Sequence, residues 1–199
     1  AERMRCLVIG DTILDEYIYV EPLGKPAKEN IIATKYRSRE IFAGGAVATA
    51  NLAIRAAGVS VTDLIPHRPP FLFVDEIVEL EPGVRAHGRW TITGDEWFLQ
   101  GHFPGNPIVP GVIMVEAAAQ TAAVCALTHD EHKGKFGVFA GIDGVRFRRI
   151  VRPGDVLDML IVVDRLRGRI GRVNAELSVA GEPAVEGQLT FGLLEEPPA

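Results

Sequence analysis

The stretch that decides the fold runs from Gly101 to Leu127 and reads GHFPGNPIVPGVIMVEAAAQTAAVCAL. Its first part has Pro or Gly at short intervals, so regular structure cannot begin before Gly111. Beyond Gly111 no further Pro or Gly occurs up to Leu127, and the Ala, Leu and Met side chains favour a helix. We expect this helix to begin near Pro110, because Pro suits the first turn of a helix.

The predicted helix is apolar on nearly every side, which is typical of a helix buried in a core. Its one charged residue is Glu116, and Gln120 follows one turn later on the same face. A buried carboxylate is costly unless it is partnered or protonated. The preceding loop contains His102. A His and a carboxylate held at one buried cavity can divide proton removal and proton donation between them.

Three motifs in order carry a family resemblance. They are LIPHRPPFLFVD at Leu64–Asp75, GHFPGNPIVPGVIMVEAAAQ from Gly101, and FAGIDGVRFRRIVRPGD at Phe139–Asp155. Together they resemble the beta-hydroxyacyl-acyl carrier protein dehydratases of the FabZ type, over roughly Thr62 to Leu193. The resemblance implies an α+β hotdog fold, in which an antiparallel sheet wraps around a long central helix.

The resemblance also implies a reaction, the dehydration of (3R)-hydroxyacyl-acyl carrier protein to trans-2-enoyl-acyl carrier protein in fatty acid biosynthesis. His102 and Glu116 are then the catalytic dyad, contributed to each site by facing subunits of a dimer. His102 suits the base because its free pKa lies near neutrality. Gly111, Phe103 and Val112 are the predicted oxyanion and substrate-binding residues, with the N–H of Gly111 polarising the thioester carbonyl. The sequence leaves open which member of the dyad handles which proton.

A basic cluster suggests how the carrier protein docks. Arg146, Arg148, Arg149 and Arg152 lie close together in a chain of net charge −5. Arg suits phosphate recognition, so this cluster could receive acidic acyl carrier protein and its phosphopantetheine phosphate. The alternative is an ordinary solvated strand edge. The resemblance further implies a homodimer, often assembled as three dimers, and no metal or organic cofactor beyond the phosphopantetheine that carries the substrate.

The other histidines are interpreted without a catalytic role. His67 in the opening motif is predicted to be structural. His129 and His132 lie in a charged loop with no Cys nearby, so a solvated loop is favoured over a metal site.

Residues 1–60 lie outside the dehydratase pattern. They resemble the N-terminus of ribokinase-like (PfkB) sugar kinases through Gly10-Asp11 with Asp15, and through Ala43-Gly44-Gly45 with Asn51. The C-terminal Gly-Ala-Gly-Asp motif of those kinases does not occur, and without it phosphoryl transfer by that route is not expected. We therefore predict two parts, a truncated kinase-like α/β fragment at 1–60 and a hotdog dehydratase domain at 62–199.

Composition narrows the remaining choices. A hydrophobic content of 47% and a charged content of 24% indicate a globular protein, and the negative net charge gives no sign of nucleic-acid or anionic-membrane binding. Two cysteines do not make a disulfide framework. No apolar run reaches the ~18 residues of a membrane span, and the first residues lack a signal-peptide pattern. A cytoplasmic location is therefore predicted.

The strand pattern gives the predicted sheet. Candidate strands are Phe71–Leu80, Arg85–Thr93, Phe136–Ile142, Val145–Ile150, Val156–Asp164 and Val185–Leu193, and Thr62 or Asp63 is expected to cap a short helical turn. Two rival functions stay open. One is a hotdog acyl thioesterase, whose product would be a free acid, and the other is a non-catalytic hotdog binding protein.

Overall fold

The computed structural model describes residues 14–24, 33–43 and 60–195. The chain divides into two compact units, Ala1–Gly58 and Val59–Ala199. In the first unit, β1 (Leu14–Gly24) pairs antiparallel with β2 (Ala33–Ala43), with Leu14 opposite Ala43. Gly10-Asp11 and Asn51 of the kinase resemblance lie outside the described residues.

The second unit is one sheet with one long helix. Its elements in chain order are α1 (Val61–Leu64), β3 (Glu76–Glu81), β4 (Arg85–Thr91), a 3-10 turn (Trp97–Gln100), α2 (Gly111–Leu127), a second 3-10 turn (Asp130–His132), β5 (Phe136–Phe147), β6 (Val156–Arg167), β7 (Ile170–Val179) and β8 (Glu182–Leu194). All strand pairs are antiparallel, in the order β3-β4-β6-β7-β8-β5.

The long helix α2 lies against the inner face of this sheet and contacts all six strands. Small side chains such as Ala117, Ala118 and Ala122 are buried along it and let the sheet approach closely. The approach is tightest at Gly88 of β4, where a Cβ would lie 2.6 Å from Oγ1 of Thr121. The predicted buried helix and the hotdog arrangement are therefore confirmed.

The sheet is buried on its inner face alone. Leu157, Met159 and Ile161 alternate with more exposed neighbours along β6, and β7 shows the same alternation. This period of two is what a strand with one face on the core requires. No helix within residues 60–195 is long and apolar enough to cross a membrane.

Three local predictions were wrong. Residues 71–75 are not part of a strand, since β3 begins only at Glu76. The two predicted strands around Asp143-Gly144 are one strand, β5, because a register shift between Asp143 and Arg146 absorbs the apparent turn. The cap of α1 is Ser60, whose side chain accepts the Thr62 N–H while Asp63 accepts the Ser60 N–H.

Candidate active site

The loop ahead of α2 fixes the ring of His102. The Nδ1 atom lies 2.9 Å from the carbonyl oxygen of Ile108. Since a carbonyl can only accept, Nδ1 carries the proton and donates it, which leaves the lone pair on Nε2. The ring also contacts Phe103, with 4.4 Å between the ring centroids. The contact thus orients the ring, and in the neutral tautomer with the proton on Nδ1 the base is Nε2.

The N-terminus of α2 presents two free amides. The backbone N–H groups of Gly111 and Val112 have no acceptor within residues 60–195, as expected for the first turn of a helix. The ring of Phe147 from β5 lies directly over Gly111, where an added Cβ would approach its edge to 2.7 Å. The lack of a side chain at position 111 therefore leaves room for Phe147 beside an anion-attracting helix terminus.

Glu116 lies on the first half of α2 and is held through Gln120. The Nε2 amide of Gln120 donates to Oε1 of Glu116 at 3.0 Å and to the carbonyl oxygen of Phe71 at 3.3 Å. The amide oxygen of Gln120 accepts the N–H of Phe73 at 2.8 Å. Gln120 is buried to 1% exposure, so its orientation is fixed by these main-chain groups.

His67 is a neighbour of Glu116 that sequence reasoning placed in a structural role. Its Nε2 lies 3.6 Å from Oε1 of Glu116. Burial lowers the pKa of His67, Glu116 acts in the opposite direction, and Arg68 lowers it further. The sequence carried no local sign of this contact, because the two residues lie on different segments that meet only in the fold.

These side chains line a cavity of about 80 Å³ between α2 and the sheet. His67, Glu116 and Gln120 are at its polar end, and the remaining wall is largely apolar. Phe139 and Phe191 are part of that wall. A narrow apolar cavity with a few convergent polar groups is what a small-molecule site looks like.

The cavity of one chain does not contain the whole predicted site. His102, Phe103 and Val112 are not among its lining residues, and no contact joins His102 to Glu116 in the described part of a single chain. Val112 and Phe103 are instead exposed, to 74% and 56%. The structure thus places Glu116 and Gln120 together, and separates them from the His102 loop.

The predicted docking arginines are mostly engaged in ion pairs. Glu186 contacts both Arg148 and Arg146, and its Oε1 lies 3.9 Å from Nη1 of Arg146. Arg149 reaches Glu182 at 2.5 Å and Asp155 at 3.5 Å. Arg152 donates to the side chain of Asn106 at 2.7 Å and to the carbonyl of Pro107, and so supports the His102 loop.

A second basic cluster lies in the β6–β7 hairpin. Its members are exposed, and none has an ion pair within residues 60–195; they are Arg165, Arg167, Arg169 and Arg172. The carbonyl of Arg169 accepts the N–H of Leu193, which lines the Glu116 cavity. The main chain at Arg169 is therefore joined to one residue of the cavity wall, while the arginine side chains do not line the cavity. Four arginines within eight residues was the signal in the sequence that could have found it.

The loop after α2 differs from its prediction. His132 is buried rather than solvated, at 5% exposure. One ligand atom each from His129, Glu131 and His132 lie within 4.8 Å of one another, the spacing of a possible metal site. However, Nδ1 of His129 accepts the N–H of Glu131 at 3.4 Å, so this ring caps the turn.

Comparison with known proteins agrees with this fold. A structure of the dehydratase heterocomplex ApeI:P from Xenorhabdus doucetiae superposes with a TM-score of 0.60 at 21% identity, covering 70% of this chain and 92% of that one. A sigma28-regulated virulence protein of Campylobacter jejuni superposes with a TM-score of 0.52 at 18% identity, covering 68% and 88%. Both support the fold alone.

An antiparallel six-stranded sheet around one long helix, with a cavity against that helix, defines the class of hotdog-fold proteins. A family model described as the FabA-like domain matches residues 65–188. The chain belongs to this family.

Two curated relatives sharpen the comparison. The 3-hydroxyacyl-[acyl-carrier-protein] dehydratase FabZ of Chloroflexus aggregans is 55% identical over 132 residues, which is 66% of this chain and 92% of the relative. The FabZ dehydratase of Caldicellulosiruptor saccharolyticus is 51% identical over 134 residues, 67% of this chain and 96% of the relative. The family model begins at residue 65, so it lends no support to the kinase resemblance of residues 1–60.

Proposed function

We propose that the chain dehydrates 3-hydroxyacyl-acyl carrier protein in fatty acid biosynthesis, as a lyase of the FabZ type. The observation that carries the proposal is about 50% identity to several FabZ dehydratases over more than nine tenths of their length. The Glu116 cavity and the free Nε2 of His102 supply the groups that such a reaction needs. We further propose that the substrate is the (3R)-hydroxyacyl thioester and that the product is the trans-2-enoyl thioester.

The chemistry needs one base, one oxyanion site and one acid. Nε2 of His102 removes the proton from the carbon next to the thioester carbonyl. The electron pair moves to form the carbon–carbon double bond, while the N–H groups of Gly111 and Val112 stabilise charge on the thioester oxygen. The 3-hydroxyl takes the proton of the Glu116 carboxyl from Oε2 and leaves as water, and the proton on Nε2 of His102 is then returned to Glu116 through solvent. No metal or organic cofactor takes part, since the acyl group arrives on the phosphopantetheine of the carrier protein.

We infer that two copies of the chain complete each site. Strand β5 is 12 residues long and lies at the edge of the sheet, and its Phe139, Ile142 and Phe147 side chains are exposed. A long apolar edge strand favours pairing with another strand. A second copy along β5 would bury these side chains with Phe103 and Val112, and would bring its His102 to the Glu116 cavity. We further propose, from the family resemblance, that three such dimers assemble together.

For the carrier protein, the hairpin cluster is the better candidate surface than the four predicted arginines. Arg146, Arg148 and Arg149 already have acidic partners in the chain, whereas the hairpin arginines have none in the described part of the chain. An arginine without an acidic neighbour attracts an acidic partner over a longer distance than an arginine already in an ion pair. Reversing the charge of Arg167 and Arg169 should raise KM for a carrier-protein substrate and leave turnover of a short thioester without carrier unchanged. An equal effect of reversing Arg146 and Arg148 would instead favour the original prediction.

The first test uses mass spectrometry to measure the loss of one water molecule from the substrate. A hydroxyacyl-carrier protein thioester should lose one water with the intact chain, and neither His102→Ala nor Glu116→Ala should support this loss. His87→Ala is the matched control, because His87 pairs with Asp158 outside the cavity. Release of a free acid would identify a thioesterase. An unchanged thioester with well-folded intact protein would contradict the proposal and favour a binding protein.

A mixing experiment tests the shared site. In a mixed dimer of His102→Ala and Glu116→Ala chains, one of the two sites would have both wild-type groups. Mixing the inactive variants under conditions of subunit exchange should therefore recover about a quarter of the activity. No recovery after demonstrated exchange would show that both groups act from one chain.

Residues 1–60 and the cellular location remain proposals. We propose that residues 1–60 are a separate kinase-like fragment without phosphoryl-transfer chemistry, and that the protein is cytoplasmic. Incubation of the intact chain with ATP and simple sugars should yield no sugar phosphate.

A further inference from the structure

His67 faces the carboxylate of Glu116, but the proposed reaction gives it no role. Its Nε2 is 3.6 Å from Oε1, slightly longer than a hydrogen bond. Both side chains are partly buried, at 28% exposure for His67 and 19% for Glu116. The contact is therefore largely withdrawn from bulk water, where an N–H facing a carboxylate has a stronger orienting effect.

His67 and Gln120 approach the same oxygen of Glu116. Gln120 donates to Oε1, and its direction is imposed by the Phe73 N–H and the Phe71 carbonyl. With both neighbours at Oε1, the carboxylate is left with Oε2 for a substrate. The two contacts come from different sides, one from α2 and one from the segment before β3, so together they restrict rotation of the carboxylate.

The backbone at His67 is itself fixed. The guanidinium of Arg68 donates to the carbonyl of Ile65 at 2.9 Å and to the carbonyl of His67 at 2.7 Å, which closes the turn. Burial lowers the pKa of His67, so the ring is neutral near pH 7 and offers an N–H rather than a full charge.

A purely structural role does not explain the imidazole ring of His67. Its Nδ1 is buried and has no hydrogen-bond partner within residues 60–195. An unsatisfied buried polar atom is destabilising, and an apolar side chain of similar size would avoid this cost. The contact of His67 with Glu116 is the feature of the structure that can explain an imidazole at this position.

We propose that His67 is a positioning residue for the dehydration, with its Nε2 packed against Oε1 of Glu116 so that Oε2 is presented to the substrate. The inference rests on the proposed function. It predicts that His67 affects the chemical step more than substrate binding, because a displaced carboxylate loses its geometry in the transition state.

The test compares three variants with a 3-hydroxyacyl-carrier protein substrate. His67→Phe keeps a ring but removes the N–H, and should lower kcat about 10- to 100-fold, the loss typical of a misplaced catalytic group. KM should stay within about 3-fold of the unsubstituted value. His67→Gln restores a neutral donor and should recover most of kcat. His87→Phe, remote from the cavity, should leave both constants unchanged.

The outcomes separate the two proposals. Without water loss in the unsubstituted chain, the proposed function fails. Normal water loss with equal kcat in His67→Phe, or no recovery in a folded His67→Gln, would overturn the positioning role alone. A measurement on the unsubstituted chain is informative even if the His67 variants misfold. In ¹⁵N NMR, the His67 ring should carry its proton on Nε2 at pH 7. The Nε2 signal should shift in Glu116→Gln. A proton on Nδ1 would overturn the proposal.

Discussion

Replacement of Gln120 by Leu tests the buried polar connection between α2 and the segment before β3. Gln120 is 1% exposed and makes three hydrogen bonds, to the Phe73 N–H, to the Phe71 carbonyl and to Glu116. Leu has a similar volume, so the substitution removes the bonds without opening a large cavity. The change therefore isolates the polar contribution of this side chain.

The magnitude follows from the groups left behind. The buried N–H of Phe73 loses its acceptor, which costs about 1–3 kcal/mol, and the bond to the Glu116 carboxylate contributes about 1.5–3 kcal/mol. Burial of the apolar Leu side chain offsets roughly 1–2 kcal/mol of this loss. The free energy of unfolding should fall by about 3 kcal/mol, the middle of the resulting range of about 0.5–5 kcal/mol.

Urea unfolding at one fixed protein concentration measures the change, since association would otherwise shift the apparent stability. Gln188→Leu is the matched control, because within residues 60–195 the Gln188 side chain bonds to Asn174 alone, at an exposed position of the sheet. Its effect should stay within about 0.5 kcal/mol. If Gln120→Leu were no more destabilising than this control, the Gln120 bonds would not hold the segment, and the argument for a fixed Glu116 would fail with them.

Three further predictions use other parts of the fold. Gly88→Ala should destabilise the protein by about 1–3 kcal/mol in urea unfolding, because its Cβ would lie 2.6 Å from Thr121, whereas Gly192→Ala, with its nearest neighbour at 3.7 Å, should cost about 1 kcal/mol less. Burial raises the pKa of Cys125 to about 12, so peptide mapping should find this thiol unmodified by iodoacetamide in the native protein and alkylated after unfolding; native alkylation would contradict its burial. Burial lowers the pKa of His132 from 6.5, so it contributes stability above about pH 6.5 that is lost as the pH falls; the decrease in unfolding free energy from about pH 7 to 5 should be smaller in His132→Gln, and an equal decrease would refute it.

The parts of the fold that local rules decide could be predicted from the sequence. Pro110 and Gly111 set the start of α2, and the absence of helix breakers up to Leu127 sets its length. Strand β5 was predicted as two strands because Asp143-Gly144 is typical of a turn. Whether such a pair turns the chain or forms a bulge depends on the partner strand, here β8, and a single sequence contains no direct record of that pairing.

The candidate site also has one part that the sequence identifies and another that depends on contacts made only in the fold. His102 and Glu116 stand out by residue type and by family resemblance, before any coordinates are known. The contact of His67 with Glu116 depends on two segments meeting, and so does the bond of Gln120 to Phe73, 47 positions away. The ion pair of Arg148 with Glu186 spans 38 positions, which is why the sequence alone does not show that this arginine already has an acidic partner.

The location of Glu116 follows from these long-range contacts rather than from the helix that carries it. Apart from Gln120, α2 gives the carboxylate no polar neighbour among the described residues, and Gln120 takes its own direction from the main chain at Phe71 and Phe73. Phe73 is in turn packed against Trp90 at 5.2 Å between ring centroids. The segment that anchors a buried aromatic in the core is therefore the segment that orients the Glu116 carboxylate through Gln120. An apolar helix can place a carboxylate at a cavity, but the segment packed beside it determines which of its oxygens already has a neighbour.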